Sequence, residues 1–218
     1  MNKAVLWFTK ITGLPAQYFY YKKKIYSVND DKKARKIKGG AMIVCNHTNL
    51  KDFPLVMYTF FGRDLRALAA EIVYEKKGKL VGWFVNAIGC VRVDRSSYDF
   101  SFTTKMVDLL KKGKVGVVFP EGRIPDPGET DDFLDFKPSY VYMALEADVP
   151  IIPIYTNGIY GKLKKEKNDV AKVMIGEKID ARSLLSSSRS EKENLDYINN
   201  YVRDYMKKLK QELENRKD

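Results

Sequence analysis

Along this chain, short apolar runs alternate with stretches in which apolar residues recur every three or four positions. The runs at 41–45, 115–119 and 150–155 predict buried strands, and weaker runs at 65–69 and 90–93 predict two more. The stretch 170–179 alternates enough to predict a strand nearer a sheet edge. Residues 52–61, 71–88, 100–110 and 139–147 predict helices; Lys111, Lys112 and Gly113 suit the C-terminal end of the third. Leu195, Ile198, Val202, Tyr205, Leu209 and Leu213 follow steps of three and four, the mark of one amphipathic C-terminal helix. Strands alternating with helices predict an α/β domain over residues 31–218, with a mostly parallel central sheet flanked by helices. In such sheets ligands sit beyond the carboxyl ends of the strands, so the residues that follow each apolar run are the ones to search.

Residues 1–30 have a different character. Val5, Leu6, Trp7, Phe8, Ile11, Leu14, Tyr18, Phe19, Tyr20 and Tyr21 crowd the start, and Lys22, Lys23 and Lys24 follow at once. Aromatic side chains beside a lysine cluster suit a helical segment resting in a membrane interface. The same residues also suit a helical hairpin packed on the domain and split near Gly13 and Pro15. No apolar run reaches the ~18 residues of a spanning helix, and none has the form of a cleaved leader.

The composition narrows the classes. At 218 residues, with 44% apolar and 12% aromatic positions, the chain can bury a real core and is not a disordered tail. Its 39 Lys and Arg against 28 Asp and Glu give a net charge of +11, which attracts anions: a membrane surface, a nucleic acid or a phosphorylated small molecule. One His and two Cys exclude a multi-histidine or cysteine-rich metal site, and they point to a reducing compartment without a disulfide framework.

Polar clusters follow three of the strands. After 41–45 come Asn46, His47, Thr48, Asn49 and, five residues beyond the histidine, Asp52. A carboxylate at that spacing can turn back to one imidazole nitrogen, leaving the other to take a proton. A hydrogen-bonded turn histidine with Asp52 as a helix cap fits the same spacing. After 115–119 come Pro120, Glu121, Gly122 and Arg123, in which a glycine can turn the chain and an arginine can clamp phosphate or carboxylate; a structural Glu–Arg pair is the plainer alternative. Arg92 and Arg95 follow the 90–93 run, and Lys137 lies past an acidic loop at 124–135; solvated surface cations are the plainer reading of these three.

Together these residues form four blocks in order: Asn46, His47 and Asp52; Gly89 to Arg95; Val118-Phe-Pro-Glu-Gly-Arg-Ile124, with Phe136-Lys137 after it; and Val149-Pro-Ile-Ile-Pro153. They resemble the motifs of the glycerolipid acyltransferases, beginning with a His-x-x-x-x-Asp pair, over about residues 41–155. Arg92 stands where that family usually has an aromatic residue, Asn49 where Ser is common, and Arg123 follows Gly122 without an intervening residue.

The resemblance implies a mostly parallel α/β acyltransferase domain. It also implies transfer of a fatty acyl group from a thioester, on coenzyme A or acyl carrier protein, to the hydroxyl of a lysophospholipid. The first acceptor it suggests is 1-acylglycerol-3-phosphate, giving phosphatidic acid; another lysophospholipid or an aminolipid is the alternative. His47 is then the general base and Asp52 its orienting partner. Arg95, Glu121, Gly122 and Arg123 hold the glycerol phosphate, with Arg92 and Lys137 as further cations. Glu121 is expected to touch a hydroxyl or position an arginine, and backbone N–H groups near the helix after His47 to stabilise the oxyanion. Apolar residues of 53–61 and 73–88 are expected to line a lipid-chain groove. The implied partners are the acyl donor, the acceptor and an anionic membrane surface, at whose cytoplasmic face the protein is expected as a peripheral or monotopic protein. No metal, cofactor or specific nucleic acid is called for. A non-catalytic basic protein that binds membranes or nucleic acid leaves the four blocks unexplained.

Overall fold

The computed structural model describes residues 1–15, 23–70, 78–94, 100–126, 128–130, 132–158 and 170–216. The strands are β1 (Lys24–Ser27), β2 (Ala41–Cys45), β3 (Leu65–Ala70), β4 (Val91–Val93), β5 (Val115–Val118), β6 (Ile151–Thr156) and β7 (Lys172–Ile175). They form one sheet in the order β1-β7-β6-β2-β5-β3-β4. β6, β2, β5, β3 and β4 are mutually parallel. β7 runs antiparallel to β6 and parallel to β1. The helices are α1 (Lys3–Pro15), α2 (Asp52–Thr59), α3 (Lys79–Ala87), α4 (Ser101–Lys111), α5 (Ser139–Ala147) and α6 (Glu191–Asn215).

β2 lies between β5 and β6, so both of its edges are paired, and helices packed on both faces of the sheet leave all five of its residues buried. Side chains alternate across a strand, so the two faces feed two cores. Ala41, Ile43 and Cys45 join Val117, Ile152, Leu6 of α1 and Leu55 and Val56 of α2. Met42 and Val44 join Met106 of α4, Tyr140 of α5 and the inner stripe of α6. That stripe, Ile198, Val202, Met206, Leu209 and Leu213, is buried throughout; each such side chain contributes roughly 1.5–3 kcal/mol by leaving water. Ser190 and Glu193 close a capping box at the start of α6.

The α/β architecture expected from the patterning is the one observed. Two details differ from the expected plan. Lys24–Ser27, assigned from sequence to the N-terminal segment, pairs with β7 as an edge strand of the sheet. Its four residues sit among lysines, too short a run to stand out as a strand. The helix expected over 71–88 is seen as Lys79–Ala87; residues 71–77 lie outside the described residues, as do Tyr18 to Lys22. α1 packs on the domain through Lys10, which is buried and donates from Nζ to the carbonyls of Phe61 (2.8 Å) and Arg63 (2.7 Å). This contact satisfies the ammonium and two carbonyls beyond the end of α2 together.

Candidate active site

Two adjacent parallel strands, β2 and β5, end at the same edge of the sheet, and His47 and Glu121 follow them there. His47 Nδ1 lies 2.9 Å from Asp52 Oδ2. Asp52 opens α2 and is fully buried. Its Oδ2 also accepts from the backbone N–H of Thr48 (2.6 Å) and Asn49 (2.8 Å), and its Oδ1 from Thr48 Oγ1 (2.9 Å). A carboxylate held by that many donors stays an acceptor. Nδ1 therefore carries the hydrogen, so that in the neutral imidazole the lone pair falls on Nε2. Phe119 stacks on the imidazole with ring centroids 4.4 Å apart.

Glu121 is almost as buried as Asp52, at 5% exposed. Its Oε1 accepts from His47 N (2.8 Å) and its Oε2 from Leu134 N (3.0 Å). Burial pushes its carboxyl above the ordinary glutamate value, against the pull of those two N–H groups. The expectation was that Glu121 touches a hydroxyl or positions an arginine; in the structure each of its two oxygens accepts a hydrogen bond from a backbone amide. What Glu121 positions is the backbone of His47 and the acidic loop. Gly122 follows with φ at +77°, a conformation that a side chain would strain, and its N–H closes a turn on the Phe119 carbonyl (3.0 Å).

Four of the amides near the start of α2, where oxyanion donors were expected, are engaged within the turn. Those of Thr48 and Asn49 serve Asp52, that of Lys51 bonds Asn49 Oδ1, and that of Asp52 bonds the Asn49 carbonyl. Neither cysteine offers an alternative nucleophile. Burial, with Asp52 and Glu121 nearby, pushes the Cys45 thiol well up, and burial pushes Cys90 up to about 12.

Behind His47, Asn46 bridges to the end of β6. Its Nδ2 donates to the Thr156 carbonyl (2.9 Å) and its Oδ1 accepts from Thr156 N (2.8 Å). Thr156 Oγ1 in turn accepts from Gly158 N (2.9 Å). A Cβ on Gly158 would sit 2.2 Å from Thr48 Oγ1, so glycine lets the chain pass close behind the group that holds Asp52. Thr156 and Gly158 were missed in the sequence. They follow the 150–155 run, so the strand-end rule applied there would have found them.

A cavity of about 1260 Å³ opens beside His47, larger than the roughly 300–1,000 Å³ of common small-ligand sites. Part of its wall is polar: His47, Glu121, Gly122, Arg123, Glu129 and Lys137. The rest is largely apolar, with Phe53 of α2, Leu68 of β3, and Val81, Phe84 and Val85 of α3. The cations are arranged unevenly. Arg123 is paired with Glu129, through Nη1 to Oε2 (2.7 Å) and Nη2 to Oε1, which holds the Glu129 carboxyl at about 2. Lys137 lines the cavity, with its backbone N–H on the Pro120 carbonyl (2.9 Å). Arg92 is exposed on β4 and is not among the lining residues, whereas its neighbours Val93 and Asp94 are. Arg95 lies outside the described residues. The acidic loop rests on α6: Asn199 Nδ2 donates to the Phe136 carbonyl (2.9 Å), Arg203 pairs with Asp135 (3.1 Å) and Lys207 with Asp132 (2.9 Å).

A family model described as Acyltransferase matches residues 24–157, more than half of the chain. The chain belongs to the acyltransferase family. All the described site residues, from His47 to Lys137, fall inside the matched region. Among curated acyltransferase relatives, a probable 1-acyl-sn-glycerol-3-phosphate acyltransferase of Mycoplasma genitalium is 30% identical over 166 residues, 73% of this chain and 59% of that protein. A 1-acyl-sn-glycerol-3-phosphate acyltransferase of Cocos nucifera is 28% identical over 123 residues, 55% of this chain and 38% of that one. The chain thus matches well under two thirds of the length of either relative. The crystal structure of the LPA acyltransferase PlsC of Thermotoga maritima superposes with a TM-score of 0.70 at 23% identity, over 99% of this chain and 82% of that one, and so shares the fold.

Proposed function

We propose that this acyltransferase moves a fatty acyl group from an acyl thioester to the free hydroxyl of a lysophospholipid, with 1-acylglycerol-3-phosphate as acceptor and phosphatidic acid as product. The observation that carries this reading is the His47–Asp52 pair, with Nε2 left over, in the wall of a large and mainly apolar cavity. The relatives named for that acceptor support it.

In this reading the acceptor hydroxyl gives its proton to His47 Nε2 as its oxygen attacks the thioester carbonyl carbon. Asp52 stabilises the imidazolium that forms. The tetrahedral intermediate collapses, the carbon–sulfur bond breaks, and the departing thiolate takes the proton back from His47. The new ester leaves with the acceptor. Arg123 and Lys137 receive the acceptor phosphate, with Gly122 allowing close approach of the backbone. Arg95 is assigned the same duty from the motif, and Arg92, which faces outside the cavity wall, only a supporting charge. The donor is acyl-coenzyme A or acyl carrier protein, both anionic partners for a chain of net charge +11. Helix α1 is assigned to membrane contact and the chain from β1 onward to the catalytic domain, at the cytoplasmic face of a membrane.

The test is transfer from palmitoyl-coenzyme A, and from the matching acyl carrier protein, to a panel of acceptors in mixed micelles. The panel holds 1-acylglycerol-3-phosphate, other lysophospholipids and an aminolipid, with products identified by mass spectrometry. Phosphatidic acid as the main product is the expected result. Preference for another acceptor overturns the acceptor assignment, and no transfer from either donor overturns the reading.

A further inference from the structure

We propose that α3 is a membrane-docking helix that, beside α1, seats the cavity on an anionic bilayer. This deepens the reading above by assigning the surface through which a lipid reaches the cavity, but its test does not depend on acyl transfer.

α3 has nine residues, and four large apolar side chains on it are open to solvent: Leu80 at 78%, Trp83 at 58%, and Val81 and Phe84 at 36% each. α1 adjoins it, with Asn2 N donating to the Ala87 carbonyl at the end of α3 (2.8 Å). On α1, Trp7, Phe8, Ile11 and Leu14 are also exposed. Soluble monomers rarely leave a contiguous apolar patch of this kind uncovered.

Three observations point to an anionic bilayer as what covers it. First, neither helix contains an Asp or Glu, while Lys3 and Lys79 are exposed at their starts and the whole chain carries +11. That is the charge pattern of an interfacial helix on anionic headgroups. Second, α3 faces two ways. Val81 and Phe84 line the cavity that holds His47, whereas Leu80 and Trp83 are more exposed and do not line it. The helix is therefore the wall between the cavity and whatever lies outside, and continuity favours a medium made of acyl chains. Third, Lys10 points inward from α1 and is fixed to the carbonyls of Phe61 and Arg63, so the apolar face of α1 is presented outward by a helix held to the body. No helix among the described residues is long and apolar enough to cross a membrane. At about 1.5 Å per residue, α3 spans roughly 14 Å and fits the interface rather than the ~30 Å core.

The chain has two tryptophans, Trp7 on α1 and Trp83 on α3, so each helix carries its own fluorescent reporter. In the Trp7→Phe variant, Trp83 should shift to the blue and be quenched by vesicles of brominated phosphatidylcholine and phosphatidylglycerol in equal parts. It should respond weakly to phosphatidylcholine vesicles. Leu80→Ser together with Trp83→Ser should lower affinity for the mixed vesicles at least tenfold, each buried apolar side chain being worth about a factor of ten or more. Both side chains are exposed, so the melting temperature should hold, and circular dichroism checks this. The proposal is overturned if Trp83 stays unquenched while the protein binds vesicles, or if the double variant binds as well as wild type. It is equally overturned if light scattering shows a dimer that hides Trp83 and is lost in the double variant, the outcome expected of a second copy as partner.

Discussion

The carboxylates of Asp52 and Glu121 and the carboxylate of Glu129 occupy opposite kinds of environment within the same site. Asp52 and Glu121 are buried, and every oxygen is engaged, largely by backbone N–H groups. Glu129, with a side chain 30% exposed, holds Arg123 on the acidic loop. A charge fixed by amides of strand ends and a helix start cannot move without unfolding the turn that presents them. A surface ion pair is screened by water and is worth little, so it can be exchanged for another anion. On the proposed reading, the contrast separates two tasks: the proton-transfer pair would be preorganised by the fold, while the headgroup end would be built from charges that a phosphate can displace.

Substitutions test that division, and their effects should fall in order as they move from the first environment to the second. Asp52→Asn offers one oxygen where the carboxylate offered two, and it frees His47 to take the other tautomer. The expected loss in kcat is about 10²–10⁴-fold with little change in KM, measured by steady-state acyl transfer. Glu121→Gln leaves either the His47 or the Leu134 amide without an acceptor. We expect about a tenfold fall in kcat, because a backbone bond to a charged acceptor that positions the proposed base is lost.

The same Glu121 variant has a signature in stability. Burial raises the folded-state carboxyl of Glu121 above its ordinary 4.5. Its contribution is therefore fully present below that value and is drawn down as pH rises through the raised one. The melting temperature of Glu121→Gln, relative to wild type, should climb as pH goes from about 4 to 7. A flat difference would mean that the buried carboxylate carries no desolvation cost.

Arg123→Ala should raise KM for a phosphate-bearing acceptor by up to about tenfold and leave kcat nearly unchanged, a loss of binding that is equal in ground and transition states. Glu129→Gln should do the reverse and least: releasing Arg123 should lower that KM a few-fold, in keeping with the small worth of exposed ion pairs. If Glu129→Gln damages kcat as severely as Asp52→Asn, the division between the two environments is wrong.

The same contrast explains what was legible in the sequence. Buried strands such as Ala41–Cys45 and the stripe of α6 announce themselves, because burial on both faces or on one face leaves a periodic apolar pattern. The His47–Asp52 pair was legible because five residues of chain suffice to bring the two groups together. Contacts across the sheet were not: the link from Glu121 to the His47 amide joins residues far apart in sequence, as does the bridge from Asn46 to Thr156. The pairing of Arg123 with Glu129 was hidden for another reason. The acidic loop reads as a solvated run, and nothing in its order says that Asp132 and Asp135 meet α6 while Glu129 meets Arg123.

The central claim is that His47 takes the proton from the acceptor hydroxyl. The most direct measurement is acyl transfer from palmitoyl-coenzyme A to 1-acylglycerol-3-phosphate by wild type and by His47→Ala, at matched melting temperature. The account predicts phosphatidic acid from wild type and a loss of at least about 10²-fold in kcat for the variant, the scale of general-base help. A folded His47→Ala protein that transfers at the wild-type rate would contradict it.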